Sequence, residues 1–385
     1  MTPAHIAAFF GWALTWVALI GALYTLAAAF VVARFFAGTR PPARRSEAVT
    51  LLKPLYGDEP HLFDNLASFL TLDHDGPVQL LLGVQRADDP AITVIERLRA
   101  KYPAAQIDLV VDSRRHGANG KIANLINMVR QATHPLLILS DSDIAVAPDY
   151  LARLLAALDV PGIGAVTAAY VGRGDAGFWS RFGAAGLDWH LLPGVIFGAN
   201  NGLATPCMGS TIALRAETLA AIGGFEAFAD TLADDYAIGQ AILALGKKVV
   251  VPSMLVTHAG NDATFVDLWR HEVRWGATIL GVEPIGHTAG VIAMPVPIAL
   301  LATALLPTIG GWALLLALAS RFVLIITIRR VAGRWPVAPQ LLPARDILTF
   351  AGYIASFFAR SVDWRGSTLR MGPDGQVSKG PENSA

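Results

Sequence analysis

Leu136-Leu137-Ile138-Leu139-Ser140-Asp141-Ser142-Asp143 is a run of four aliphatic residues that leads through a serine into two spaced carboxylates. A short aliphatic run of this kind reads as a strand buried on both faces, which belongs in a parallel sheet. Working outward, 49–52, 79–84, 107–111 and 164–168 repeat the pattern, each followed by a polar turn or a helical stretch. The alternation predicts a mostly parallel, three-layer α/β domain over 46–282. Ligands of such sheets bind beyond the carboxyl ends of the strands. Asp88, Asp89, Asp112, Asp141 and Asp143 all fall at those ends.

The flanks are of another composition. Hydrophobic residues make up 54% of the 385 and charged ones 16%, and the mean hydropathy is +0.47, above the values of soluble domains. The surplus lies in 6–36, a nearly uncharged stretch longer than the ~20 residues that cross a bilayer as helix, and in 289–328, split by Pro307, Gly310 and Gly311 into a helical hairpin. Arg34, Arg40, Arg44 and Arg45 follow the first stretch and Arg329, Arg330 and Arg334 the second. That bias places the middle domain on the cytoplasmic side of a bacterial inner membrane or its equivalent. With its basic residues after the apolar core, the first stretch is read as an uncleaved anchor. The 345–360 segment reads as an interfacial helix or a third C-terminal span, and 366–385 as a loose polar tail. Thirty basic and thirty acidic side chains give a formal charge of +0, so no basic field exists to hold nucleic acid. The lone cysteine, Cys207, excludes an internal disulfide and is read as packed.

Several motifs carry chemistry or structure, and local sequence leaves both readings open. In an extended segment Asp141 and Asp143 share a face and suit Mg2+ or Mn2+ with substrate phosphates; they also suit helix capping. Asp88-Asp89-Pro90 offers a nucleotide contact or an N-cap followed by proline. Asn119-Gly120-Lys121 opens a helix whose N–H groups and ammonium suit phosphate, or are simply solvated. Asp234-Asp235 stand at a helix entrance, where one could serve as a general base and capping alone carries about twice the weight. His271, Arg274 and Trp275 suit a diphosphate and a sugar, or an interfacial anchor.

Taken in order, Lys53-Pro54-Leu55, Val84 through Ala91, Lys121-Ile122-Ala123-Asn124-Leu125, Asp141-Ser142-Asp143, Asp234-Asp235-Tyr236 and His271-x-x-Arg274-Trp275 resemble the ceramide glucosyltransferase family, glycosyltransferase family 21, which includes bacterial hopanoid-associated members. The resemblance implies a GT-A nucleotide-sugar fold with membrane helices at both ends. It implies inverting transfer from a UDP-sugar, of glucose or N-acetylglucosamine type, to a hydroxyl of a membrane lipid such as ceramide or a hopanoid. Carried over, Asp235 is the general base, with Arg274 and Trp275 beside it in catalysis. Asp88, Asp89, Lys121, Asp141 and His271 contact the nucleotide sugar, and Asp141 and Asp143 hold the metal. His190, Cys207 and Asp234 lie near the donor or acceptor cleft. His271 departs from the family's usual Gln or Arg, and Arg86 stands where some members are acidic. A processive polysaccharide synthase would use the same aspartates but needs a pore, for which two or three C-terminal spans are too few. A phosphotransferase gives no reason for Asp235 with His271–Trp275, and a lipid-binding scaffold needs neither Asp141 nor Asp235.

Overall fold

A computed structural model describes residues 2–38, 42–57 and 59–359, with the backbone of Ser361–Trp364, Ser367–Met371 and Val377–Lys379. The strands of the middle region are β1 (Val49–Pro54), β2 (Val78–Val84), β3 (Gln106–Val111), β4 (Leu136–Leu139), β5 (Ile144–Ala145), β6 (Ile163–Thr167), β7 (Ala169–Gly174), β8 (Ile212–Arg215), β9 (Lys248–Val250) and β10 (Leu255–Gly260). Among the described residues one sheet has seven strands in the order β3-β2-β1-β4-β8-β6-β9, and a second holds β5-β10-β7. Neighbours β1–β2, β1–β4, β2–β3 and β6–β9 run parallel, while β8 is antiparallel to both β4 and β6.

Alternation along β1 and β2 explains the layers. Leu51, Leu80 and Leu82 enter the core on one face, and Leu52 and Leu81 enter the core on the other, as the two-residue side-chain period requires. The helix Gly120–Val129 presses onto the second face so closely that a Cβ at Gly83 would lie 2.3 Å from Met128 Sδ. Only glycine leaves room for that approach.

Among the described residues two apolar helices are long enough to cross a membrane, Pro3–Phe36 and Pro307–Ala332, and a bent pair makes a third if it counts as one span. The first begins at Pro3, with Thr2 as its N-cap, and not at residue 6. The expected hairpin differs more. Its first arm is a bent pair, Pro284–Ala293 and Pro295–Leu305, with 65° between the two parts. Pro295–Leu305 has 11 residues and rises about 16 Å, short of a ~30 Å hydrocarbon layer. The prolines at 295 and 297 remove the amide donors that would continue one straight helix. Leu342–Ser356 has 15 residues, with Arg345 and Asp346 buried, and packs along the helix Phe265–Val282 through Gly276 and Gly352. The tail expected beyond 366 falls mostly outside the described residues; Ser367–Met371 within it pairs antiparallel with Ser361–Trp364 and Val377–Lys379.

Candidate active site

A cavity of about 760 Å3 opens at the carboxyl ends of β1 and β4, walled on the far side by the helix Phe265–Val282. Its size is that of a small-molecule site. Asp141, Asp143, Lys121, Cys207, Asp234, Asp235, His271, Arg274 and Trp275 all line it.

The Asp141-Ser142-Asp143 segment is a turn between β4 and β5, so its carboxylates diverge and do not share one extended face. Asp141 Oδ1 accepts from Lys121 Nζ at 2.8 Å, whereas Asp143 Oδ2 lies 3.3 Å from His258 Nε2 on β10. Neither caps the following helix, whose N-cap is Asp149. Lys53 holds the turn from below. Its buried ammonium donates to Ser140 Oγ at 3.2 Å and to the Asp141 carbonyl at 2.6 Å, and sits 3.8 Å from the Phe69 ring centre. Burial pushes the Lys53 pKa down to about 7, against the pull of Asp143 and Asp141.

Asn119 Oδ1 caps the helix Gly120–Val129 by accepting from the Lys121 and Ile122 amides at 2.9 and 3.1 Å. Two of the N–H groups expected to receive phosphate are therefore already used. Lys121 turns inward, its Nζ 3.3 Å from Asp234 Oδ2. Burial alone would lower its pKa; Asp141, Asp234 and Asp235 outweigh burial and raise it.

Asp234 and Asp235 open the helix Asp234–Ala244, but its N-cap is Ala233, which makes no side-chain cap. Asp235 Oδ2 instead accepts from the Gly209 amide at 2.8 Å, and its Oδ1 from the Tyr236 amide at 2.8 Å. Burial first, and Asp234 second, push the Asp235 pKa up to about 6, although the side chain keeps surface in the cavity. At Gly209 a Cβ would lie 3.0 Å from Asp141 Oδ2 and Lys121 Nζ and 3.4 Å from Asp235 Oδ2. Those three side chains thus converge on one glycine.

The helix Phe265–Val282 begins with a Thr264/Asp267 capping box. His271 Nδ1 lies 3.1 Å from Asp262 Oδ2, and its ring meets Trp275 edge-on at 4.6 Å. Trp275 also faces His258 at 6.3 Å, and Tyr170 stacks on His258 at 5.6 Å.

Three of the expected residues lie outside the cavity lining. Asp88 is exposed and paired with Arg86 at 2.6 Å, outside the cavity lining. Asp89 is buried and accepts from the Gly57 and Ala91 amides, each at 3.0 Å; it shapes the loop beside Tyr56, which does line the cavity. His190 lies outside the cleft, with Nε2 2.9 Å from Asp346 Oδ1. Cys207 lines the cavity but is buried, which raises its thiol pKa well above the usual value and leaves it inert as a thiolate.

His258, Tyr170 and Gly209 escaped the sequence reading, since each lies in a different segment. A signal did exist for His258, which stands near the end of an apolar run, where strand-end ligands are expected.

Among the described residues a divalent cation such as Mn2+ could bind where Asp143 Oδ2 and His258 Nε2 face each other 3.3 Å apart as a carboxylate–imidazole pair, beside Asp143 Oδ1, which is buried without a hydrogen-bond partner. Among the described residues no three acidic, His or Cys side chains gather into a closed metal site. Substrate oxygens would complete the shell.

The parallel half-sheet, the antiparallel insertion of β8 and the Asp-x-Asp turn at the carboxyl end of the central strand β4 make up the expected GT-A architecture. The glycosyl transferase family 21 model matches residues 12–377, and the chain belongs to that family. Ceramide glucosyltransferase 1 of Caenorhabditis elegans is 25% identical over 229 residues, 59% of this chain and 48% of that protein. Ceramide glucosyltransferase 3 of the same organism is 27% identical over 224 residues, 57% and 48% of the two. The chain spans about half the length of these relatives. Among solved structures, a mannosyltransferase from Pyrobaculum calidifontis in complex with GDP-Man and Mn2+ is similar over 90% of this chain and 99% of its own, at 20% identity and a TM-score of 0.49.

Proposed function

We propose that the chain transfers a sugar, of glucose or N-acetylglucosamine type, from its UDP conjugate to a hydroxyl of a membrane lipid such as ceramide or a hopanoid. The observation that carries this reading is the Asp235 carboxylate. It is fixed by two backbone amides, raised to about 6 and exposed to a cavity whose opposite wall holds Arg274 and Trp275.

In this reading the lipid oxygen attacks the anomeric carbon from the side opposite the diphosphate, inverting its configuration. The hydroxyl proton passes to Asp235 as the bond from sugar to diphosphate breaks. A carboxylate with a raised pKa is a stronger base and is still mostly ionised at neutral pH. Arg274 receives charge on the departing diphosphate, and Trp275 packs on the sugar. Lys121 holds Asp141 and Asp234 in place between donor and base. Asp143 and His258, with Asp141 alongside, would hold Mg2+ or Mn2+, which when bound offsets diphosphate charge. A catalytic domain over 46–282, anchored by the apolar helices at the cytoplasmic face of a bacterial inner membrane or its equivalent, meets its acceptor without extracting it from lipid.

The experiment is transfer by membranes containing the full chain, given a panel of labelled UDP-sugars and Mn2+, followed by lipid chromatography. Label moving into a lipid in wild type and not in Asp235→Asn supports the reading. No lipid product from any UDP-sugar refutes it.

A further inference from the structure

Behind the cleft, the helix bearing His271, Arg274 and Trp275 is tied to the apolar helix Pro307–Ala332 by consecutive buried charges. Arg321, midway along that helix, grips Asp346 with two parallel bonds, Nε to Oδ2 at 2.9 Å and Nη2 to Oδ1 at 2.8 Å. Its Nη1 donates to the Trp189 carbonyl at 2.8 Å, and His190 Nε2 lies 2.9 Å from the Asp346 carboxylate. One residue before Asp346 in the helix Leu342–Ser356, Arg345 pairs with Glu272. Arg345 fits there because Gly186 has no side chain, and its guanidinium lies over the Phe182 ring at 5.4 Å.

Glu272 follows His271 directly and precedes Arg274 by two positions. It points back toward Arg345 while those neighbours line the cavity. The two helices also touch closely: a Cβ at Gly276 would lie 2.7 Å from Ser356 Cβ.

Side-chain exposure is 2% for Arg321, 0% for Asp346 and 1% for Arg345. Desolvating such pairs costs about as much as their attraction returns, so apolar replacements are often neutral or stabilising. Stability alone therefore gives weak reason for this arrangement, whereas fixed geometry gives a direct one. We propose that Arg345 and Glu272, backed by Asp346 and Arg321, are positioning residues that set Arg274 and Trp275 against the donor diphosphate. This rests on the reading of that helix as the donor-facing wall.

The test is titration of the purified full chain with UDP in the presence of Mn2+, alongside its melting temperature. Glu272→Gln keeps volume; it is expected to weaken UDP binding ~10-fold, the scale of a displaced charge-assisted contact, and to lower the melting temperature, since it leaves the Arg345 charge buried without its carboxylate. Arg345→Lys keeps the charge but loses the planar fork and carries the same prediction should Glu272→Gln not accumulate. In the double variant Glu272→Gln/Arg345→Met no buried charge is left unpaired; melting should recover fully while UDP binding stays weak. Wild-type UDP affinity in the single variants, or a double variant that regains both stability and binding, overturns the proposal in favour of a purely structural tie. Arg274→Ala, run in parallel, separates the two levels. If Arg274→Ala binds UDP normally, the donor-wall reading itself fails. If only Arg274→Ala is impaired, the wall stands and the positioning role falls.

Discussion

Asp235 concentrates the chemistry at the scale of single residues. Asp235→Asn keeps shape and the acceptor side of one amide contact but loses the basic oxygen, so turnover should fall by ~10²–10⁴-fold with UDP affinity nearly intact. Asp234→Asn is the matched control and should not share that profile, which steady-state kinetics beside UDP titration will show. Because the Asp235 pKa is raised to about 6 and the working form is the carboxylate, kcat/KM should be lost as pH falls through about 6 and be flat above it. A pH profile with no acid limb there contradicts the assignment. Asp143→Ala or His258→Ala should raise the Mn2+ needed for half-maximal rate by at least ~10-fold, by loss of one cation contact; a chelator and metal titration reads this. Sequence placed Asp141, Asp143, Lys121, Asp234, Asp235, His271, Arg274 and Trp275 as candidates, and the fold gathers them round one cavity. It could not show that Asp88 turns outward to Arg86 or that His190 turns to Asp346, since both outcomes depend on partners distant in sequence or on a rotamer.

Elements were legible where burial made them regular. The aliphatic runs of β1, β2, β4 and β6 are buried on both faces, so composition alone marked them, whereas β3, at the sheet edge, is exposed at both ends. The strands β7, β9 and β10 mix glycine, lysine, threonine and histidine into short runs, and their pairing, not their composition, makes them strands. The 289–307 stretch reads as apolar throughout, and hydropathy does not register the 65° bend beside its prolines, which makes it a broken span or a re-entrant loop. Packing between elements gives the next prediction. Gly83→Ala would place a methyl 2.3 Å from Met128 Sδ and 2.5 Å from Asn124 Oδ1, forcing the Gly120–Val129 helix off the sheet. The expected loss is ~1–3 kcal/mol of stability, with activity reduced because Lys121 rides on that helix. Thermal unfolding that matches wild type would show that the helix yields without cost.

For the whole molecule, the β5-β10-β7 sheet and the apolar helices share packing: Val171 of β7, Val32, Leu324 and Ile325 belong to one buried cluster. The arginines that suggest a cytoplasmic domain are partly engaged in the fold, Arg44 with Asp73 at 2.7 Å and Arg45 with Glu47. Acidic neighbours contribute little to orientation, so the bias still predicts the same side. Cys207 is buried, which leaves a quiet background for labelling. Asp88→Cys, at an exposed position, should resist a membrane-impermeant maleimide in intact spheroplasts and react once they are opened. Labelling in intact cells would put the domain on the other face.

Sugar transfer to lipid with Asp235 as the base comes down to one comparison of rates. Membranes containing the full chain or its Asp235→Asn variant are given radiolabelled UDP-glucose or UDP-N-acetylglucosamine with Mn2+, and the organic-phase label is counted over time. Wild type should put label in a lipid band, and Asp235→Asn should do so at a rate lower by ~10²-fold or more, at equal protein and equal UDP affinity. Organic-phase label accumulating at similar rates in both would contradict it.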